Sequence, residues 1–270
     1  MTLPAVSVLM SVRDGAPWVR GAVASVLAQT APDLELIVID DGSVDSTGEI
    51  LASLAEPRLR VDRQPRTGLT RALNRAIELA RAPLLARLDA DDVALPERIE
   101  RQRTFLDMHR DVGLLGTGAR EVDLNDREVA IVRPPAEDGD IRRALIRTNP
   151  FVHSSVMVRR TALEQVGGYD EALAVAQDYD LWMRMSRITR LGNLPEPLVV
   201  RRLLPGRVSA VRDGERLSTE VRVRWRAVQS GAYPWWCAVF VAKPFAARLL
   251  PARVRERLRR GLGAPEQARL

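Results

Sequence analysis

The sequence predicts an α/β fold, with a mainly parallel central sheet flanked by helices and a helical extension at the C-terminal end. Three observations carry this. Strand-length apolar runs at 6–12, 34–39 and 84–88 alternate with segments of helical spacing, the pattern of strand–helix–strand crossovers. Two of these runs end in aspartate clusters, where the ligand-binding edge of an open α/β sheet is expected. Of the 270 residues, 46% are hydrophobic and 28% charged, enough apolar surface for a sizeable core.

The elements follow in order. Val6 to Val12 reads as a strand, punctuated by Asp14 to Pro17. Trp18 to Leu27 is helical, with Val19, Val23, Val26 and Leu27 on one face. Leu34 to Ile39 is a buried strand ending at Asp40-Asp41-Gly42-Ser43. Ser46 and Glu49 form a capping-box pattern opening a helix to Leu54. A weak strand at Leu59 to Asp62 precedes a helix at Leu69 to Ala80. Leu84 to Leu88 runs into Asp89-Ala90-Asp91-Asp92, and Pro96 opens a helix to Met108. Val112 to Leu115 is a strand, Arg120 to Val132 a hairpin around Asn125-Asp126, and Asp138 to Arg147 a helix. Ser154 to Val158 is a strand and Thr161 to Val166 a short helix stopped by Gly167-Gly168. Asp178 to Ile188 is a helix, with short strands at Leu191-Gly192 and Val199-Val200. Arg222 onward is helical and peripheral. The expected organisation is one domain over 1–205 and a basic helical extension over 206–270.

Composition narrows the chemistry. One cysteine, Cys237, excludes a disulfide scaffold, and with only His109 and His153 a histidine-rich metal site is impossible. A metal must sit mainly on carboxylates, which suits a hard divalent cation. No run reaches the 20 or so apolar residues of a bilayer span, and no signal peptide is evident, so the expected compartment is the cytoplasm. The net charge of +6 is uneven: residues 201–270 hold 16 basic and 5 acidic side chains, whereas residues 1–200 are net negative. A basic tail attracts nucleic acid or an anionic membrane. The negative charge of the first 200 residues and the lack of a nucleic-acid motif argue against a nucleic-acid module.

Asp89, Asp91 and Asp92 are the sharpest feature. At a strand end, residues i and i+2 share a face, so Asp89 and Asp91 can converge on Mg²⁺ or Mn²⁺ together with substrate phosphates. Asp92 suits a helix cap or a ribose contact. Asp40 and Asp41, ending a buried strand, can accept from a base N–H or a ribose hydroxyl. An ordinary strand-to-helix turn explains them equally until their position beside Asp89 is considered. Asp178 reads evenly as a helix cap or a functional carboxylate. The isolated glycines of Gly116-Thr-Gly118 read as turns, since the third glycine of a dinucleotide fingerprint is missing.

Together these segments resemble family 2 of the glycosyltransferases, which have the GT-A nucleotide-diphospho-sugar transferase fold. The resemblance lies in Val6 to Gly15, Ala24 to Thr30, Leu36 to Thr47, Leu88 to Asp92 and Gln177 to Trp182, in the family's order over roughly residues 4–200. It implies that Asp41, with Asp40 close by, meets a uracil or thymine ring of a UDP- or dTDP-sugar. It implies that Asp91, helped by Asp89 or Asp92, binds the metal at the donor diphosphate, and that Asp178 is the catalytic base. Gln177 stands where glutamate is commoner, which keeps open a nucleotide-sugar binder without turnover. Asn149 to Val158 also resembles a family segment on the acceptor side, where His153 touches a phosphate or the acceptor or is simply structural. One base and no covalent nucleophile implies an inverting hexosyltransferase acting on a glycan or lipid-linked acceptor. Three of the five tryptophans lie between 225 and 236, ahead of clustered arginines. They suit either peripheral contact with the inner membrane surface or a packed helix with a solvated face.

Overall fold

The computed structural model describes residues 3–204 and 213–242. The chain runs β1 (Val6–Val12), α1 (Val19–Leu27), β2 (Leu34–Asp41), α2 (Thr47–Ala52), β3 (Leu59–Gln64), α3 (Leu69–Leu79), β4 (Leu84–Arg87), β5 (Val93–Ala94) and α4 (Arg98–Met108). It continues through β6 (Val112–Val122), β7 (Glu128–Val132), α5 (Asp138–Leu145), a 3₁₀ turn at His153–Ser155, β8 (Met157–Arg159), α6 (Arg160–Gln165), α7 (Gln177–Met185) and β9 (Arg190–Arg202). An α-helix at Asp213–Gln229, α8, and a 3₁₀ turn at Trp235–Cys237 complete it.

One sheet of order β3-β2-β1-β4-β8-β6-β9-β5 holds these strands, with β7 added to β6. β3, β2, β1 and β4 are parallel; β8 enters antiparallel between β4 and β6. The chain therefore builds outward from β1 to β3, then returns to the other side of β1 with β4. That reversal creates the switch point where open α/β sheets bind ligands. The second half completes the same sheet, because β8 and β6 continue it beyond β4.

Alternation along the strands decides which helix packs where. Val8, Met10, Leu36 and Val38 face α1 and α4, while Leu9, Ile37 and Ile39 face α3 and α7. β2 is buried along its whole length, so Leu36 to Ile39 is apolar on both faces rather than alternating in polarity. Each fully buried Leu, Ile or Met contributes roughly 1.5–3 kcal/mol. α8 joins the second cluster through Val223 and Ala227.

Several local expectations are corrected. Ser46 makes no side-chain cap; Asp45 does so instead, its Oδ1 accepting the Thr47 N–H at 3.0 Å. The strand expected at Val112 to Leu115 continues to Val122, and the two short strands near 191 and 199 are one strand, β9. The strand expected from Ser154 begins at Met157, because His153–Ser155 forms a 3₁₀ turn. Gly116 and Gly118 are not turns but lie inside β6. A Cβ at Gly118 would sit 2.7 Å from the carbonyl oxygens of Pro195 and Val132 and 3.0 Å from that of Glu196. There the β6–β9 register shifts.

Three backbone oxygens around one α-carbon cannot retreat like a side chain. Gly118→Ala is expected to lower unfolding stability by about 1–3 kcal/mol, read as a lower urea midpoint. An unchanged midpoint would show that the β6–β9 seam is not crowded.

Candidate active site

Register sets the scale of the crevice. Val12 pairs with Asp40 on one side, and Leu9 pairs with Arg87 on the other. β1 therefore separates the two acidic clusters by two strand spacings, about 10 Å, at nearly the same height. Both clusters lie on the C-terminal edge of the parallel strands.

On the β2 side, Asp40 and Asp41 are buried. Asp40 Oδ1 accepts the Ser43 N–H at 2.9 Å, and its Oδ2 faces Arg63 Nε at 3.5 Å. Asp41 organises the loop between β3 and α3. Its Oδ1 accepts from Gln64 Nε2, the Thr67 N–H and Thr67 Oγ1 at 2.8–3.0 Å, and its Oδ2 accepts the Gly68 N–H at 2.8 Å. Burial opposes the charge on Asp41, but these donors outweigh it and hold the carboxyl below the usual carboxylate range. Gly42 lets the chain turn beneath this loop: its φ is 73°, and a Cβ there would lie 2.7 Å from the Arg66 nitrogen. Across the crevice mouth, Asp14 Oδ1 accepts the Val44 N–H, while Ser43 Oγ accepts the Asp14 N–H. This stitches the β1–α1 loop to the β2–α2 loop.

On the β4 side, the acidic residues occupy a turn. β4 ends at Arg87, and the Asp92 N–H reaches the Asp89 carbonyl at 3.2 Å. The shared strand face expected for Asp89 and Asp91 is thus replaced by a turn. Asp89 Oδ1 pairs with buried Arg87, and its Oδ2 accepts from Ser154 Oγ at 2.5 Å. Burial opposes its charge, but Arg87, His153 and Ser154 hold Asp89 well below the usual range. Asp91 is half-buried in the same turn. Asp92 is buried and accepts the Arg202 N–H at 2.9 Å, so it ties the turn to β9 rather than capping α4. Burial, and then the like charges of Asp89 and Asp91, push Asp92 up to about 7.

The third side belongs to the second half of the chain. The Ala176 backbone takes a left-handed conformation and starts α7, which places Asp178 in the first helical turn. Asp178 is half-buried, and its Oδ2 accepts from Asn149 Nδ2 at 2.7 Å. Asn149 Oδ1 in turn accepts the Phe151 N–H at 3.1 Å, so the amide is fixed from both ends. His153 lies within electrostatic reach of both Asp89 and Asp178. Burial and then Arg87 lower its proton affinity, and the two carboxylates only partly offset this. Its Nε2 meets the Tyr169 hydroxyl at 2.9 Å, and its ring packs edge-on against Tyr169 and Trp182. Asp180 pairs with Arg184 at 2.8 Å and Trp182 is fully buried, both as structural groups. His109 is exposed at the end of α4, stacked on Phe105.

Arg87 and Tyr169 adjoin the site without having been singled out, and Asn149 and Ser154 do so from within the segment Asn149 to Val158. Arg87 carried a signal: an arginine directly inside a buried apolar run just before an acidic cluster. The other three are joined to their carboxylate or imidazole partners only through folding.

The carboxylate donors of the turn suit a hard cation. Among the described residues, no three His, Cys, Asp or Glu side chains form a cage. This is the arrangement in which Mg²⁺ takes one or two carboxylates and completes its shell with phosphate and water. Asp91 and the free lone pairs of Asp89 are the groups that would hold it.

The sheet order, the acidic edge and the flanking helices define the GT-A fold. In fold the chain is similar to S. aureus TarS 1–349 in complex with UDP-GlcNAc (TM-score 0.71, 17% identity, 97% of this chain and 76% of that one). It is also similar to the mannosyltransferase PcManGT from Pyrobaculum calidifontis in complex with GDP-Man and Mn²⁺ (TM-score 0.63, 20% identity, 98% and 82%). Residues 7–167 match the profile of Glycosyl transferase family 2, and the chain belongs to that family. It is 30% identical over 203 residues to the amylovoran biosynthesis glycosyltransferase AmsE of Erwinia amylovora, covering 74% of this chain and 76% of that protein. It is likewise 30% identical over 188 residues to the O-antigen biosynthesis glycosyltransferase WbnJ of Escherichia coli, covering 68% and 72%.

The Tyr169–His153 contact sets a tautomer. Burial keeps the Tyr169 proton on, so the hydroxyl is able to donate to His153 Nε2, and in that direction the imidazole proton resides on Nδ1. With two histidines in the chain, ¹⁵N spectra are readily assigned. His153 is expected to show a protonated Nδ1 and an unprotonated Nε2, and Tyr169→Phe is expected to release that preference. A protonated Nε2 in the native protein would reverse the direction of this hydrogen bond.

Proposed function

We propose that this glycosyltransferase moves a hexose from a UDP- or dTDP-sugar to a hydroxyl of a glycan or lipid-linked acceptor in polysaccharide biosynthesis, with inversion at the anomeric carbon. The observation that carries it is a half-buried Asp178, held by Asn149, facing the Asp89 turn across His153. Relatives named for amylovoran and O-antigen biosynthesis support the pathway class. Fold neighbours described with UDP-GlcNAc or GDP-Man support a nucleotide-sugar donor.

In this reading the base of the donor lies over the β2 edge. Asp41 Oδ2 accepts one loop N–H and retains a lone pair for a base N–H, with Asp40 beside it. The diphosphate reaches the turn at Asp89, Asp91 and Asp92. A divalent cation, Mn²⁺ or Mg²⁺, held by Asp91 and Asp89, would offset the charge gathering on the departing nucleoside diphosphate. His153 offers its Nδ1–H toward a phosphate or the acceptor. Asp178 takes the proton of the acceptor hydroxyl as that oxygen bonds to the anomeric carbon. The bond to the diphosphate oxygen breaks on the opposite face, which inverts the configuration.

Two variants test it. Asp178→Asn is expected to keep donor affinity and lose about 10²–10⁴-fold in kcat, because the carboxylate acts only as the hydroxyl loses its proton. Loss of donor affinity with an unchanged rate would remove it from that role. Asp91→Asn is expected to weaken Mn²⁺-dependent donor binding, measured by calorimetry with UDP- and dTDP-sugars, while the circular dichroism spectrum is retained. Wild-type metal response in that variant would move the cation elsewhere. Donor binding without turnover in the native protein, across a panel of acceptors, would favour the sugar-nucleotide binder that Gln177 keeps open.

A further inference from the structure

α8 and the turn after it have two unlike faces. Val223, Ala227 and Cys237 enter the core, whereas Trp235 is 83% exposed, Trp236 54%, Val239 59% and, on α8, Trp225 46%. Arg222 and Arg226 are exposed on the same outer face of α8 as Trp225, by helical spacing. The exposed tryptophans are not left over from poor packing. Their segment is firmly seated: buried Arg224 donates to the Tyr179 hydroxyl at 3.1 Å, to the Arg147 carbonyl at 3.0 Å and to Glu220 at 3.0 Å. Phe240 packs under Arg147 and edge-on to Trp236. A rigid mount that holds indoles outward presents them to something.

We infer that Trp235, Trp236 and Val239, together with the outer face of α8 at Trp225, Arg222 and Arg226, dock on an anionic lipid bilayer and bring a lipid-carried acceptor to the Asp178 side of the crevice. Indole rings favour the headgroup boundary, where an apolar body meets a wet edge. Arginines add attraction to anionic headgroups, and residues 243–270 carry eight basic side chains against two acidic ones. A second copy of the chain is the poorer occupant. A two-fold contact would set Arg222 and Arg226 against their own copies, and like charges across an interface oppose association. The side of the molecule also fits. Arg224 bonds Tyr179, the residue after Asp178, so the docking face is tied to the helix that carries the acceptor-side carboxylate. The acceptor part of this inference rests on Asp178 being the acceptor-side base; the docking part does not.

The test uses the full-length chain and reads binding without turnover. Vesicles of phosphatidylcholine alone, and of phosphatidylcholine with phosphatidylglycerol, are co-sedimented with the native protein, Trp235→Ser/Trp236→Ser and Arg222→Gln/Arg226→Gln, at low and high salt. The native protein is expected to partition onto the anionic vesicles with a blue shift in tryptophan emission. The tryptophan pair should lower partitioning at least tenfold at either salt. The arginine pair should lower it roughly fivefold per charge at low salt and much less at high salt. Unchanged thermal melting of both variants, which alter exposed side chains, shows that folding is not the cause. No partitioning by the native protein, or equal partitioning by all three, overturns the inference. So does a concentration-dependent dimer abolished by Trp235→Ser/Trp236→Ser with vesicle binding unaltered, which assigns the face to a second copy. Binding to duplex DNA that depends on the same tryptophans would assign it to nucleic acid. Because donor binding and the Asp178→Asn rate are measured without vesicles, failure of docking leaves the catalytic reading intact, and the converse also holds.

Discussion

A buried guanidinium at the seam between β4 and β8 positions the rest of the site. Arg98 is wholly buried in α4. Its Nη2 donates to the carbonyls of Arg87 at 2.7 Å and Val156 at 3.3 Å, the last ladder positions of β4 and the residue before β8. Its Nε donates to Gln102, which carries two further bonds to the carbonyls of Leu115 and Ser155. One helix face thus closes the ends of β4 and β8 and braces them against the interior of β6. Those ends carry the Asp89 turn and the His153–Ser155 turn, which Ser154 also joins through Asp89. A charge is an expensive way to do this: leaving a buried ion with a partner removed costs several kcal/mol. The return is a fixed spacing between two turns that come from distant parts of the chain.

Arg87 repeats the device one layer closer to the crevice. It is buried and bonds Asp89 through one nitrogen, while its Nε and Nη1 find no hydrogen-bond partner among the described residues. Its charge therefore acts mainly on Asp89, His153 and Tyr169. Burial and then Arg87 lower the proton affinity of His153, while Arg87 offsets the burial of Asp89, so one cation acts in the same direction on both. Of the two buried arginines behind the three aspartates, Arg87 pairs with Asp89, whereas Arg98 is held by carbonyl and amide oxygens.

Legibility in the sequence followed locality. β1, β2, α3 and β4 were readable because each is a continuous run whose apolar period matches its final burial, and the acidic clusters stood at their ends. Readability fell where one residue serves two elements. β9 looked like two short strands because Pro195 to Pro197 interrupts the pattern, yet the pairing with β6 continues past that irregularity. Gly116 and Gly118 looked like turn residues because crowding by a neighbouring strand leaves no local trace. Tyr169 and Arg98 were invisible as site components and Asn149 stood out only within its segment, since a phenol, a helix arginine and an amide acquire meaning only from partners 16, 11 and 29 residues away. The exposed tryptophans were visible as a cluster. Which of them would pack and which would face outward depended on the seat made by Arg224.

The same contrast separates the two walls of the crevice. The β2 and β4 edges come from successive units of a parallel sheet, so their carboxylates are placed by strand register and turn geometry alone. The opposite wall is assembled from the 3₁₀ turn, the first turn of α7 and, behind it, α8, with few backbone ladder bonds among them. Side-chain bonds do that work: Asn149 to Asp178, Tyr169 to His153, and Arg224 to Tyr179. Register tolerates surface substitution well, whereas side-chain struts do not, because removing one member leaves the other buried and unsatisfied. The wall nearest Asp178 is therefore both the part of the fold most easily reshaped by single substitutions and the part whose geometry depends on the C-terminal helix staying seated. A change at Arg224 would be felt at Tyr179 first and at Asp178, one residue along, before it disturbed the sheet edge on the far side of the crevice.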